Sequence, residues 1–282
     1  MNWFREVLFL SGTAAFFIVS DMLYNRKDSM TEKNEIVLMD FTGVYKEQEF
    51  YRGENISWVD VQGLSGCSCY CDGEAQEILE KKIEDLSVKG IHFVDSGNYH
   101  YMSLLWLKKV QAPFRLLVFD NHTDMQPPAF GGLLSCGGWA AEALKLLLFL
   151  QELILVGPDR EAYEQTEKES RKKVRFLSRE DLREMTEPEK KNFFEEISGE
   201  FPLYISVDKD VLRPGDAVTA WSQGDMTAEE LENILRAVCS RQEPAGMDVC
   251  GECDAGENGT CNDRVNGMLL NVWRDWRDSH EK

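Results

Sequence analysis

Histidine is scarce in this 282-residue chain, which has four. Any imidazole chemistry must therefore fall on very few positions. An excess of positive charge is also missing: 31 Lys and Arg stand against 50 Asp and Glu, for a formal net charge of −19. A surface of that sign repels phosphate, so nucleic acid and anionic membranes are poor partners, and cations, organic or metallic, are better ones. The N-terminal apolar stretch VLFLSGTAAFFIVS, positions 7–20, falls short of the ~20 residues that a membrane-spanning helix needs. It lacks the small-x-small cleavage signature of a secretion signal as well. Internal repeats and low-complexity linkers are absent, so nothing divides the remainder into several domains.

The first 29 residues balance Arg5, Arg26 and Lys27 against Glu6, Asp21 and Asp28, so the whole −19 belongs to residues 30–282. From Met30 the sequence MTEKNEIVLMDF opens like the first strand of a soluble domain. We read 1–29 as an appendage, or as a segment ahead of the true start, and 30–282 as one domain with no stable membrane span. The eight cysteines do not form a disulfide or zinc pattern. Cys67, Cys69 and Cys71 alternate in GCSCYCDG, a spacing at which neighbours bond each other poorly and which differs from the two to four intervening residues of zinc pairs. Reduced thiols in a cytoplasmic enzyme are expected, rather than a soft-metal site completed by Cys250, Cys253 or Cys261.

Apolar strand-like runs recur at 36–41, 91–94, 116–119, 153–156, 174–177, 203–207 and 246–249. Helical patterns occupy 74–86, 101–109, 140–150, 160–172, 187–197 and 228–240, the last opening on a Thr227/Glu230 capping box. Alternation of this kind with short joins predicts an α/β fold: a three-layer α/β/α domain around a mostly parallel central sheet.

Two of the runs end in acid. In LLVFDNHTDMQ the apolar residues give way to Asp120, His122 and Asp124 at every second position, and an extended chain would send those side chains to one side. In LYISVDKDVLRPGD the same happens with Asp208 and Asp210. Parallel strands bring their carboxyl ends to one edge, where open α/β sheets place their chemistry. His100, in DSGNYHY after the run at 91–94, joins them there. Five carboxylates and imidazoles at that edge, six with His100, would repel or protonate unless cations neutralise them. Two divalent ions with a bridging hydroxide would do so, and a carboxylate-rich, thiol-free set favours a hard ion such as manganese(II).

These segments resemble the ureohydrolase family of arginase, agmatinase, formiminoglutamase and relatives. DNHTD is similar to its Asp-x-His-x-Asp motif, SVDKDVLRP to its Ser-x-Asp-x-Asp-x-x-x-Pro motif, and GNYHY to its glycine-rich segment with the first metal-binding histidine. Order and separation agree over residues 36–272. The resemblance implies an arginase-like fold and a manganese pair on His100, Asp120, His122, Asp124, Asp208 and Asp210. A bridging hydroxide would attack a small cationic guanidino or related carbon, with Asp124 orienting it. Members of the family commonly form oligomers, so a homo-oligomer is implied too. Glu252 in GMDVCGECD stands within about one residue of the glutamate that pairs with guanidinium in arginases, giving it a catalytic or substrate-binding role. Asp159 occupies a loop where relatives place a substrate-facing acid. Trp139 and Trp221 are candidates to lie over a cationic substrate.

The chain departs from the arginase pattern where arginases place a proton-transferring histidine: LLSCGGWAAEAL offers Cys136 and Trp139 instead. That puts arginine itself in doubt as the substrate. Two other readings stand beside the leading one. A deacetylase-like amide hydrolase of the same superfamily would use a His-His pair, and the sequence has no adjacent histidines. A metal-binding, non-catalytic relative would keep the ligands and lose the substrate groups.

Overall fold

The computed structural model describes residues 35–127, 132–197, 199, 201–254, 256–257 and 259–280. The appendage read at 1–29 lies outside the described residues. The strands are β1 (Ile36–Asp40), β2 (Ile56–Asp60), β3 (Tyr70–Cys71), β4 (Ile91–Phe93), β5 (Phe114–Phe119), β6 (Leu134–Ser135), β7 (Leu150–Val156), β8 (Val174–Leu177), β9 (Leu203–Asp208) and β10 (Pro244–Cys250). The helices are α1 (Gly73–Ile83), α2 (Met102–Leu107), α3 (Trp139–Leu146), α4 (Arg160–Glu164), α5 (Arg179–Glu184), α6 (Glu187–Glu196), α7 (Ala228–Cys239) and α8 (Thr260–His280).

Eight strands make one sheet in the order β2-β1-β4-β10-β9-β5-β7-β8, and every neighbouring pair is parallel. β3 and β6 form a separate antiparallel ribbon. β5 and β9 are buried along their whole length, which is why their sequences are mostly apolar, broken by Arg115 in β5 and by Ser206 and the terminal Asp208 in β9. Alternate residues feed two cores: Leu117 and Phe119 pack with α5, α6, α7 and α8, and Leu116 and Val118 with α1, α2 and α3. The expected three-layer α/β/α arrangement with a parallel sheet is the one observed.

Several boundaries differ from the sequence reading. The helix expected over 140–150 stops at Leu146 because Leu147 turns extended and the chain enters β7 at Leu150. The helix expected over 160–172 is a short α4 and a separate 3-10 turn, Ser170–Lys173. At α7 the Thr227 hydroxyl accepts from the Glu230 amide at 3.0 Å, half of the expected capping box, while the Glu230 carboxylate turns to Lys190. Among the described residues, no helix is long and apolar enough to cross a membrane.

Candidate metal centre

Four adjacent central strands, β4, β10, β9 and β5, carry the site at their carboxyl ends. Beyond β4 a 3-10 turn over Gly97–Tyr99 delivers His100. This turn runs so close to β9 that a Cβ at Gly97 would lie 3.0 Å from Asp208 Oδ2. After β5 the chain does not stay extended. The His122 amide bonds back to Asp120 Oδ1 at 2.6 Å, and Asp124 adopts a left-handed backbone with φ of 49°. The three side chains therefore converge through a turn, not through strand alternation. After β9, the Asp210 amide bonds to Asp208 Oδ1 at 2.9 Å, and Asp210 in turn accepts the Asn121 amide at 2.9 Å, locking the two acidic loops together.

His100 is buried with its Nδ1 lying 2.9 Å from Asp124 Oδ2, 3.2 Å from Asp120 Oδ2 and 3.6 Å from Asp208 Oδ2. Its Nε2 lies 2.9 Å from Ser206 Oγ, and the Ser206 hydroxyl donates to Asp248 Oδ1 at 2.6 Å. With its one proton given to a carboxylate, Ser206 accepts from His100, so Nε2 carries a hydrogen. Burial opposes a charge on the ring, but Cys250, Asp120 and Asp124 around Nδ1 hold it well above the ordinary range, and a metal ion would take the place of the Nδ1 proton, with Nε2 held by the outer hydrogen bond. His122 repeats the pattern: Nδ1 is 2.8 Å from Asp210 and 3.5 Å from Asp120, and Nε2 is 2.9 Å from Ser222 Oγ. Asp120 stands between the two histidines, one oxygen toward each.

Such crowding has an electrostatic signature. Burial, with repulsion from Asp210 and Asp120, pushes the Asp208 carboxyl up to about 7, and burial with Asp120 pushes Asp210 up to about 6. Burial opposes a charge on His122, yet Asp120 and Asp210 overcome it and raise the ring to about 11. Asp120 Oδ2 is buried and receives no well-directed hydrogen bond, although it lies 3.2 Å from His100 Nδ1. Two divalent cations fit this donor set: His100, Asp120 and Asp124 form one convergent group, and Asp120, His122 and Asp210 another. The cluster opens onto a cavity of about 240 Å³, small against typical ligand pockets of roughly 300–1,000 Å³.

Residues 42–252 match a sequence model of the arginase family. The chain belongs to the arginase family. A Thermotoga maritima protein described as uncharacterised is 32% identical over 226 residues, covering 78% of this chain and 80% of that one. Among solved structures, the proclavaminate amidino hydrolase of Streptomyces clavuligerus superposes with a TM-score of 0.66 at 15% identity, covering 90% of this chain and 95% of its own. The formiminoglutamase of Trypanosoma cruzi with manganese superposes with a TM-score of 0.61 at 14% identity, covering 89% and 96%.

Within this arginase-family frame the structure brings His100, Asp120, His122, Asp124, Asp208 and Asp210 together, and it separates several residues expected beside them. Trp221, 40% exposed, lines the cavity and packs edge-on to His122 with ring centroids 5.7 Å apart. Trp139 does not face the cavity: it is fully buried and donates its indole N–H to Asp124 Oδ2 at 2.6 Å. Asp159 is a helix cap, accepting the Ala162 amide at 2.7 Å, and it lies 3.7 Å from Arg179. Glu252 is the largest correction. It is fully buried and ion-paired with Lys209, and it accepts from Gln48 at 2.9 Å, Asn262 at 2.9 Å and Asn266 at 2.7 Å. The position aimed at the cluster is its neighbour Gly251, where a Cβ would meet Asp208 Oδ1 at 2.4 Å.

Sequence reasoning missed the residues behind the ligands. Ser206, Asp248 and Ser103 fix His100, with Ser103 donating to Asp248 at 3.0 Å, and Ser222 supports His122. Asp248 and Cys250 alternate in GMDVC, a period-2 signal on a central strand that could have flagged both.

Proposed function

We propose that this chain is a binuclear-metal hydrolase that cleaves a carbon–nitrogen bond of a small guanidino or formimino compound. The observation that carries the reading is His100, whose Nε2 is held by Ser206 while Nδ1 faces three carboxylates. His100, Asp120, Asp124 and Asp208 would hold one ion, and Asp120, His122 and Asp210 the other. The bound pair supplies an activated water and Lewis acidity at the electrophilic carbon. Manganese(II) is the hard ion favoured by the carboxylates, and it is the ion named with the Trypanosoma cruzi relative.

The chain's own residues do the rest. Asp124 orients the nucleophile by hydrogen bonding, and Trp139 fixes the rotamer in which it does so. Trp221 at the rim offers an aromatic wall to a cationic head, held in place by its bond to Asn98 at 2.9 Å. The small cavity suits a compact substrate, and the negative charge of the chain suits a cationic one.

A panel of guanidino and formimino compounds, assayed for urea or ammonia release by the manganese-loaded chain with Asp124→Asn as control, tests the reading. Release that vanishes in the control supports it. Two bound metals without turnover on any guanidino, formimino or amide compound would replace it with a non-catalytic role, and turnover on amides alone would favour the deacetylase-like reading.

A further inference from the structure

Cys250 ends β10, the strand seated between β4 and β9, which supply His100 and Asp208. It is fully buried and pairs in register with Asp208 across the parallel ladder, so both side chains leave the sheet on one face. Its Sγ lies 3.1 Å from Asp208 Oδ2, the oxygen that also approaches His100 Nδ1 at 3.6 Å. The ligating atoms of His100, Asp208 and Cys250 all fall within 4.8 Å of one another. Cys69 and Cys136 line the cavity beside the cluster, but among the described residues no cysteine other than Cys250 joins these convergent groups. The thiol donates its hydrogen to a carboxylate of the cluster, and a bound ion would take the place of that hydrogen.

The geometry points to Cys250 as a sulfur ligand at the His100 end of the metal pair, making the two ends chemically unequal. The His122 end offers nitrogen and oxygen only and suits a hard ion such as manganese. The His100 end offers nitrogen, oxygen and sulfur and selects zinc, iron(II) or cobalt(II) over manganese. On ligation the S–H bond breaks heterolytically, the metal–sulfur bond forms, and the proton leaves to solvent, so uptake at this end releases one more proton than an all-oxygen site would. This inference rests on the metal-pair reading above and refines which ions occupy it.

Cobalt(II) titration of the full chain under reducing conditions separates the two ideas. Two bound ions with visible d–d bands, and a near-ultraviolet sulfur-to-cobalt charge-transfer band that saturates with one of them, is the expected result. Cys250→Ser should abolish the charge-transfer band, keep the d–d bands, and weaken zinc at one site by at least about tenfold while changing manganese far less. Cys69→Ser should keep the band. Should Cys250→Ser fail to fold, X-ray absorption of the zinc-loaded native chain gives the same answer through a Zn–S distance of about 2.3 Å. Two cobalt ions bound with no charge-transfer band, or a zinc spectrum fitted by nitrogen and oxygen alone, would overturn the sulfur ligand and leave the metal pair standing. A chain that binds no cobalt would overturn both.

Discussion

At the scale of single residues, the site is a set of side chains each held by another. Trp139 spends its only polar hydrogen on Asp124, at 2.6 Å. Trp139→Phe shortens the buried ring and removes that donor; we predict a 10–100-fold loss of metal affinity or turnover, the usual size for an outer hydrogen-bonding partner, and a lower unfolding temperature from the space the indole leaves. Isothermal titration and calorimetry on the same variant check the two halves separately. Asp124→Asn removes a charge from the carboxylate cluster itself, and turnover should fall by at least about 100-fold. The convergence of the six side chains was legible in the sequence because acids and histidines recur at alternate positions after buried apolar runs, and parallel strands carry those ends to one edge. Glu252 was misread because the chain does not stay extended past β10: Gly251 takes a left-handed backbone with φ of 87° against the site, and Glu252 turns beneath it to Lys209.

At the scale of elements, strands buried on both faces, such as β5 and β9, were readable, and β2 and α8 were not. β2 is a half-exposed edge strand, ISWVD, without a continuous apolar run. α8 buries Asn262 and Asn266 along with its apolar residues, which interrupts the helical stripe that a hydrophobic pattern would reveal. Those two asparagines serve the buried Lys209–Glu252 pair, which joins the turn after β9 to the end of β10. Lys209→Met leaves Glu252 charged and uncompensated, and we predict a loss of about 3–5 kcal/mol in stability by denaturant unfolding. Adding Glu252→Gln should recover at least about half of it; a double variant no better than the single would show that the pair matters for another reason. β4 makes a different demand. His92 is fully buried, stacked on Trp106 with centroids 3.7 Å apart, and its ring nitrogens lie 3.2 Å from Tyr204 OH and 3.0 Å from Ser87 O. Burial lowers it to about 3 from an ordinary 6.5. The unfolded chain therefore binds a proton that the folded chain refuses, so this contribution is intact above pH 6.5 and is lost as pH falls toward 3. The expected slope is about 1.4 kcal/mol per pH unit, and His92→Gln should flatten it.

At the scale of the whole molecule, a net charge of −19 and a knot of buried carboxylates both work against compactness until cations arrive. Stripping metal with a chelator should lower the unfolding temperature, and restoring a divalent ion should raise the stability by about 2.7 kcal/mol per site at a hundredfold excess over the dissociation constant. An unfolding curve indifferent to chelation would mean that the ligands are not bridged by metal. The clustered side chains follow strands far apart in the sequence, β4 near residue 91, β5, β9, and β10 ending at residue 250, yet these four lie side by side. Such non-local pairings close loops of great length before any contact rewards them, and they make folding slow. The cluster that would hold metal cannot assemble until the last of the four central strands has docked. A coloured ion added to refolding chain is thus a clock for topology: its spectrum should appear only in the slowest kinetic phase, after helix signals have already been recovered.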